Sequence, residues 1–309
     1  MEYTRLGSTG FHVSQLGLGA GGSSQLGVDS GNAERVLETA LDCGVRLIDT
    51  AEAYGTEEVI GSVLRDRSAD DVVLSTKFSV YDDGQLRRSD EIAESVHGSI
   101  DRLGVDTLDV YHLHGVRPED YEYAAETLRP RLRELQEQGL IRAVGITESV
   151  SADPNHELLA QAVSDGAWDV LMVGFNLLNH TAKSRVLEPA RAQGIGTIGM
   201  VPVRRAIADE AYLKDTIEEL IERGEIDPTT VDLADPLGFL TGDGRVRDRF
   251  DAAYRFAAHE PTVDCVLTGT SRPSHLRANV TSVERGPLPD DLIAEIETRF
   301  GKVTSLIGD

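Results

Sequence analysis

The sequence predicts an α/β protein: a closed barrel of eight parallel strands alternating with helices, the (β/α)8 or TIM-barrel class. Three observations predict it. Short apolar runs alternate with stretches of helical period along most of the 309 residues. Several runs, Val72-Val-Leu and Val170-Leu-Met-Val among them, are apolar at consecutive positions, as strands covered on both faces require. A chain of 309 residues with 40% hydrophobic content also suits one large barrel, and no linker, repeat array or low-complexity stretch marks a boundary. The expected organisation is one domain, 1–309.

Element by element, Tyr3–Leu6 and Phe11–Val13, split by Gly7-Ser-Thr-Gly10, read as a β-hairpin preceding the repeat. Strands follow near Gln15–Leu18, Leu47–Asp49, Val72–Lys77, Leu108–His112, Ala143–Thr147, Val170–Phe175, Thr197–Met200 and Val263–Thr268. Helical periodicity fills the intervals at Ala33–Asp42, Thr56–Arg65, Asp90–Leu103, Ala124–Gln138, His156–Ser164, Thr181–Ala192, Glu210–Arg223 and Pro273–Val280. Asp235-Pro-Leu-Gly and Thr241-Gly-Asp-Gly make Thr229–Asp251 a long loop before the eighth strand, of the kind that often binds or covers ligands. Asp290–Phe300 reads as an additional C-terminal helix.

Composition narrows the partners. With 30 basic and 53 acidic residues the net charge is −23, and lysine occurs only at Lys77, Lys183, Lys214 and Lys302. Such a surface repels nucleic acid and anionic membrane, so neither is expected as a partner. Acidity with scarce lysine suits strong ionic screening, which makes a halophilic protein the expectation. No apolar window reaches the ~20 residues of a membrane span, and Met1-Glu-Tyr-Thr-Arg lacks the layout of a signal peptide. A cytoplasmic location follows, and in it Cys43 and Cys265 are expected as reduced thiols.

Four runs carry the chemistry: Asp49-Thr-Ala-Glu-Ala-Tyr54, Leu74-Ser-Thr-Lys77, Asp109-Val-Tyr-His-Leu-His114 and Arg142-Ala-Val-Gly-Ile-Thr147. Three close predicted strands and Tyr54 falls in the loop after the first, so all face the barrel mouth where such folds keep their chemistry. Reducing a carbonyl requires a hydride at carbon and a proton at oxygen. A tyrosine is a suitable acid if its pKa, ordinarily about 10, is brought down. An ammonium ~4 Å away at an effective dielectric near 20 contributes about 4 kcal/mol towards phenolate, before desolvation is subtracted. Lys77 supplies that charge, Asp49 orients it, and His114 hydrogen-bonds the substrate oxygen. His112 shares a face with His114, but no third ligand accompanies the pair and no metal site is expected.

On these contexts, D-T-A-x-x-Y, S-T-K and D-x-Y-x-x-H, the chain resembles the aldo-keto reductases over essentially its full length. The resemblance implies Asp49, Tyr54, Lys77 and His114 as the catalytic set, with Asp49 also bordering the cofactor. It implies NADP(H), with NAD(H) as the alternative, bound in extended form across the mouth without a Rossmann domain. Indeed Gly17-Leu-Gly-Ala-Gly-Gly22 lacks the G-x-G-x-x-G spacing. Its Gly19, Ala20 and Gly21 read instead as a close backbone approach to cofactor or substrate.

Thr147 and Glu148 stand where the family has Ser and Asn on the nicotinamide carboxamide, and Met172 where it has Gln. Met200, followed by Val201 and Pro202, matches the position that stacks on the nicotinamide ring. Gly269, Ser271, Arg272, His275 and Asn279 match the adenosine 2′-phosphate and adenine site at the start of the last barrel helix, with Thr270 replacing the usual Lys. Glycine followed by hydroxyls at a helix start also suits an anion on physical grounds. The expected substrate is a small carbonyl compound or sugar-like molecule. Two rivals are a cofactor-binding regulatory module of the same fold and a sugar-phosphate isomerase using Glu148.

Overall fold

The computed structural model describes residues 1–21, 26, 30–67, 71–306 and 308. Two strands, β1 (Tyr3–Arg5) and β2 (His12–Ser14), pair antiparallel ahead of the barrel. Leu6, Phe11 and Val13, in and beside this hairpin, pack into the same cluster as Leu47, Val73, Val110, Ala143 and Val170 from the barrel.

Eight parallel strands close the barrel. They are β3 (Leu16–Gly19), β4 (Leu47–Asp49), β5 (Val73–Ser79), β8 (Leu108–Val116), β9 (Ile141–Glu148), β10 (Val170–Gly174), β11 (Gly196–Met200) and β12 (Cys265–Thr268), and β12 pairs back onto β3. Between β5 and β8, β6 (Tyr81–Asp82) and β7 (Gln85–Leu86) form a small hairpin. Asp83 and Gly84 turn it with positive φ at both positions, the two-residue turn that matches strand twist.

The barrel is a filled core. Leu47, Met172, Ile198, Cys265 and Leu267 occupy its interior, while Ile48, Leu74, Val144, Ile146, Leu171 and Val173, mostly on the alternate positions, pack against the helices. The helices are α1 (Ser30–Asp42), α2 (Glu57–Arg67), α3 (Ile92–Leu103), α4 (Tyr121–Tyr123), α5 (Arg129–Glu137), α6 (Glu157–Asp165), α7 (Glu188–Ala192), α8 (Arg205–Ala208), α9 (Glu210–Glu222), α10 (Arg249–Ala258), α11 (Pro273–Glu284) and α12 (Asp290–Phe300).

Three departures from the predicted elements have physical causes. The expected helices 124–138 and 181–192 each contain a π-helical turn, Ala124–Leu128 and Lys183–Leu187. In each, a proline (Pro130, Pro189) sits two residues past the turn. Proline lacks the N–H for the regular bond and crowds the carbonyl four residues back, so the helix widens there. The long loop ends sooner than expected, because α10 begins at Arg249 and packs against α11 and β12. Its residues Asp251–Ala258 are all buried, and Asp251 and Arg255 face each other as an ion pair. The pair puts two charges at buried positions, where the core-facing stripe of a helix is ordinarily apolar.

Candidate active site

Asp49 ends β4 and Lys77 lies on β5, which pair along Leu47–Asp49. The Lys77 ammonium donates to Asp49 Oδ2 and to the Thr50 carbonyl, both at 2.6 Å. Ser75 donates to the other Asp49 oxygen at 2.7 Å. Lys77 is 1% and Asp49 3% exposed, and the ion pair with its added hydrogen bonds is what makes such burial tenable. Burial pushes the Asp49 carboxyl up, and the contacts with Lys77 and Ser75 pull it back only in part.

Tyr54 is carried by the short 3₁₀ turn Glu52–Tyr54, closed by Gly55 in the left-handed region. Glu52 pins that turn: it accepts from the Ser79 N–H at 2.9 Å, from Arg87 and from Ser95, whose hydroxyl also meets Tyr111. The Lys77 nitrogen stands 5.0 Å from the Tyr54 ring centroid. Burial pushes the phenol up, against the lowering effect of Lys77. From the sequence, the ammonium is expected to bring the phenol down. It acts in that sense, but desolvation outweighs it.

His114 reaches the same point from β8. Its Nε2 lies 3.1 Å from the Tyr54 hydroxyl, and the rings meet edge to face. The register of β8 on β9 shifts between Leu113 and Val116, a bulge at which Gly115 takes φ +65. Bulges re-aim side chains at strand ends, and this one sits at His114. The Gly115 N–H donates to the Thr147 hydroxyl at 2.7 Å, tying the bulge to the next strand. Asp49, Tyr54, Lys77 and His114 are thus brought together at the strand ends. His112 sits beside Lys77 in the strand register, with both ring nitrogens buried and unpartnered among the described residues; a Cβ on Gly145 would come 2.2 Å from its Nδ1.

The expected cofactor residues surround this group unevenly. Gly19 pairs with Asp49, the Ala20 N–H donates to the Asp49 carbonyl, and a Cβ on Gly21 would lie 3.2 Å from the Tyr54 ring. Gly22 lies outside the described residues. Met172 is buried in the barrel interior and Met200 packs partly exposed above it. Val201 takes φ +58, and Pro202 after it is buried.

Glu148 is directed elsewhere. It is buried with its carboxylate on His156 Nδ1 (2.9 Å) and on the Gly174 N–H (2.7 Å), and burial pushes its carboxyl up.

At the far end, Gly269, Arg272 and His275 are exposed, Ser271 is half-buried, and the Ser271 carbonyl accepts from Asn32 at 2.6 Å. Asn279 donates to the Thr268 hydroxyl at 2.9 Å. The Thr270 hydroxyl accepts the Arg272 N–H at 3.1 Å, so the turn into α11 is set by threonine. A separate cleft of about 360 Å³ shares none of these residues; it is lined by His180, Lys183, Glu297 and their neighbours.

Sequence reasoning missed the groups that hold the four: Thr50, Ser75, Glu52 and the bulge at Gly115. Thr50, Glu52 and Ser75 lie within the runs Asp49–Tyr54 and Leu74–Lys77, but only pairing across strands gives them partners.

Residues 15–299 match the model of the aldo/keto reductase family. A D-threo-aldose 1-dehydrogenase from Pseudomonas sp is 29% identical over 307 residues, covering 88% of this chain and 90% of that protein. An NADH-specific methylglyoxal reductase from Escherichia coli is 28% identical over 240 residues, covering 70% and 72%. In structure, the holo form of an aldo-keto reductase from Bacillus halodurans superposes with a TM-score of 0.73 at 23% identity, over 99% of this chain and 97% of that one. The chain belongs to the aldo/keto reductase family, oxidoreductases that use nicotinamide cofactors.

Proposed function

We propose that this member of the aldo/keto reductase family interconverts an aldehyde or ketone and its alcohol with NADP(H), using Tyr54 as the general acid and base. The observation that carries the reading is the half-buried contact of Tyr54 with His114 beside the buried Lys77–Asp49 pair. Bound nicotinamide supplies or accepts the hydride. The residues present suit such a cofactor. Gly21 leaves open, against the Tyr54 ring, the space that a side chain would fill. Arg272 is exposed at the start of α11 with no carboxylate partner among the described residues.

The remaining steps belong to the protein. In reduction, Tyr54 gives its proton to the substrate oxygen, and the His114 imidazole hydrogen-bonds the same oxygen. The phenolate left behind is met by the Lys77 ammonium, a charge already fixed by Asp49 and the Thr50 carbonyl. A fixed charge requires no reorganisation as the transition state forms, and burial strengthens it. In oxidation the same phenolate takes the proton back. Glu148 has its carboxylate spent on His156 and Gly174, so it is assigned neither a base role nor a direct grip on the nicotinamide.

The test is NADPH consumption against a panel of aldehydes, ketones and open-chain sugars. Tyr54→Phe removes the acid while leaving the ring, so kcat should fall by about 10²–10⁴ with NADPH affinity little changed. A kcat within about tenfold of wild type would overturn the assignment. Cofactor binding without turnover on any substrate in the parent protein would mark a regulatory module instead.

A further inference from the structure

We propose that Asn176 is a positioning residue: its side chain holds Val201 in a left-handed backbone conformation and thereby sets the exit of β11, Met200–Pro202, for the nicotinamide. The inference rests on the reading above that this segment borders the cofactor.

Val201 has φ +58. Among the described residues the other non-glycine positive φ values fall on Asp83 and His156, types that visit this region more readily. For a β-branched side chain it is a steric outlier. Pro202 adds a second local preference, since a residue before proline is driven to extended backbone. Both local forces point away from the observed conformation, so something outside the segment imposes it.

Asn176 is in place to do so. It is fully buried just past the end of β10, and its Nδ2 donates to the Val201 carbonyl at 3.3 Å. Its Oδ1 accepts the N–H groups of Leu178 and Asn179, each at 3.0 Å, which leaves the amide one orientation. The neighbouring Phe175 N–H donates to the Met200 carbonyl at 3.1 Å, so Met200 and Val201 are gripped in succession from the same strand exit. Asn179 extends the grip: its Nδ2 donates to the carbonyls of Pro154 (3.0 Å) and Leu306 (2.9 Å). Rim segments after β9, β10 and β11 and the C-terminal segment are joined through two buried amides. Releasing Val201 to extended backbone would rotate φ by more than ~100° and redirect the chain from Pro202 onward.

The experiment is a double-mutant cycle of Asn176→Ala and Val201→Gly, read as NADPH affinity by fluorescence titration and as melting temperature. Glycine adopts the left-handed region without steric penalty, so it no longer needs holding. Asn176→Ala should weaken NADPH binding about tenfold or more with Val201 present, and by less than about threefold in the Val201→Gly background. Val201→Gly should itself raise the melting temperature. Equal losses in the two backgrounds would show that Asn176 only packs its own loop, and would overturn the inference. So would a melting temperature lowered by Val201→Gly. If Asn176→Ala does not fold, Asn176→Asp keeps the acceptor for Leu178 and Asn179 while removing the donor to Val201, and it enters the same cycle. Should the parent protein bind neither NADPH nor NADH, the functional reading fails, while the cycle in melting temperature still decides whether Asn176 holds Val201.

Discussion

Burial, and after it the charge of Lys77, pushes the His114 imidazole down to about 3. At neutral pH the ring is therefore uncharged, one nitrogen donating and the other accepting, as the role proposed for it between Tyr54 and a substrate oxygen requires. The unfolded chain takes up this proton near pH 6.5 and the folded protein near 3. Between these values the unfolded state binds more protons, so this contribution to stability is lost as pH falls from about 6.5 towards 3. The expected outcome is that the His114 imidazole resonance shows no titration between pH 8 and roughly 4.5. His114→Gln should also flatten the loss of stability across the acid range. A midpoint near 6.5 would contradict the buried, neutral imidazole. Arg272 gives a second residue-scale prediction. Its guanidinium suits a phosphate dianion, and NADPH carries one that NADH lacks. Arg272→Ala should raise the Kd for NADPH about tenfold or more and spare NADH, given the ≈1.5–3 kcal/mol typical of a charged hydrogen bond. Equal effects on both cofactors would remove the main support for NADP preference.

Among the elements, α2 and α3 meet backbone to backbone. A Cβ on Gly61 would fall 2.4 Å from the Leu103 carbonyl oxygen and 2.8 Å from that of Arg102. A helix interior ordinarily favours alanine over glycine by about 1 kcal/mol. Here the carbonyls cannot yield without moving α3, so Gly61→Ala should destabilise by roughly 1–3 kcal/mol. It should also disturb the link in which Glu57 accepts from Thr76 (2.6 Å) and from Arg102 (2.6 Å), next to Lys77 in sequence. Gly98, within α3, is the control. Its Cβ would meet the far end of the Arg102 side chain, Nη1 at 2.9 Å, which can shift while Nε stays on Glu57, so Gly98→Ala should stabilise by about 0.5–1 kcal/mol. Urea denaturation of the two variants tests the contrast, and shifts of the same sign would show that the close approach does not decide it.

Charge dominates at the scale of the whole molecule. Against 53 acidic residues there are 30 basic ones, and many of the arginines are already committed to ion pairs. The surplus carboxylates repel one another, and the Debye length of about 10 Å at 0.1 M falls to ~3 Å at 1 M. Melting temperature should rise from low to molar sodium chloride, because relief of the net −23 outweighs the screening of exposed pairs that contribute little. A flat or falling curve would remove the halophilic expectation. Fully buried pairs such as Lys77–Asp49 are sheltered from added salt and should keep their geometry throughout.

The barrel and the four candidate side chains were legible along the chain because both are local signals. Strands buried on two faces must be apolar runs, as at Val170–Val173, and residues at strand ends share one mouth, which brings Asp49, Lys77 and His114 within reach of Tyr54. The tertiary structure decided what depends on neighbours distant in sequence. It buried α10 on every side and paired Asp251 with Arg255, placing two charges where a core-facing helix is ordinarily apolar. It turned Glu148 to His156 and Gly174, a choice fixed by the side chains packed beside the strand end and unrelated to its place in a motif. It let burial outweigh the Lys77 charge at Tyr54, since desolvation depends on every atom packed around a group. And it held Val201 where neither valine nor a following proline would put it, because the bonds that hold it come from another strand's exit.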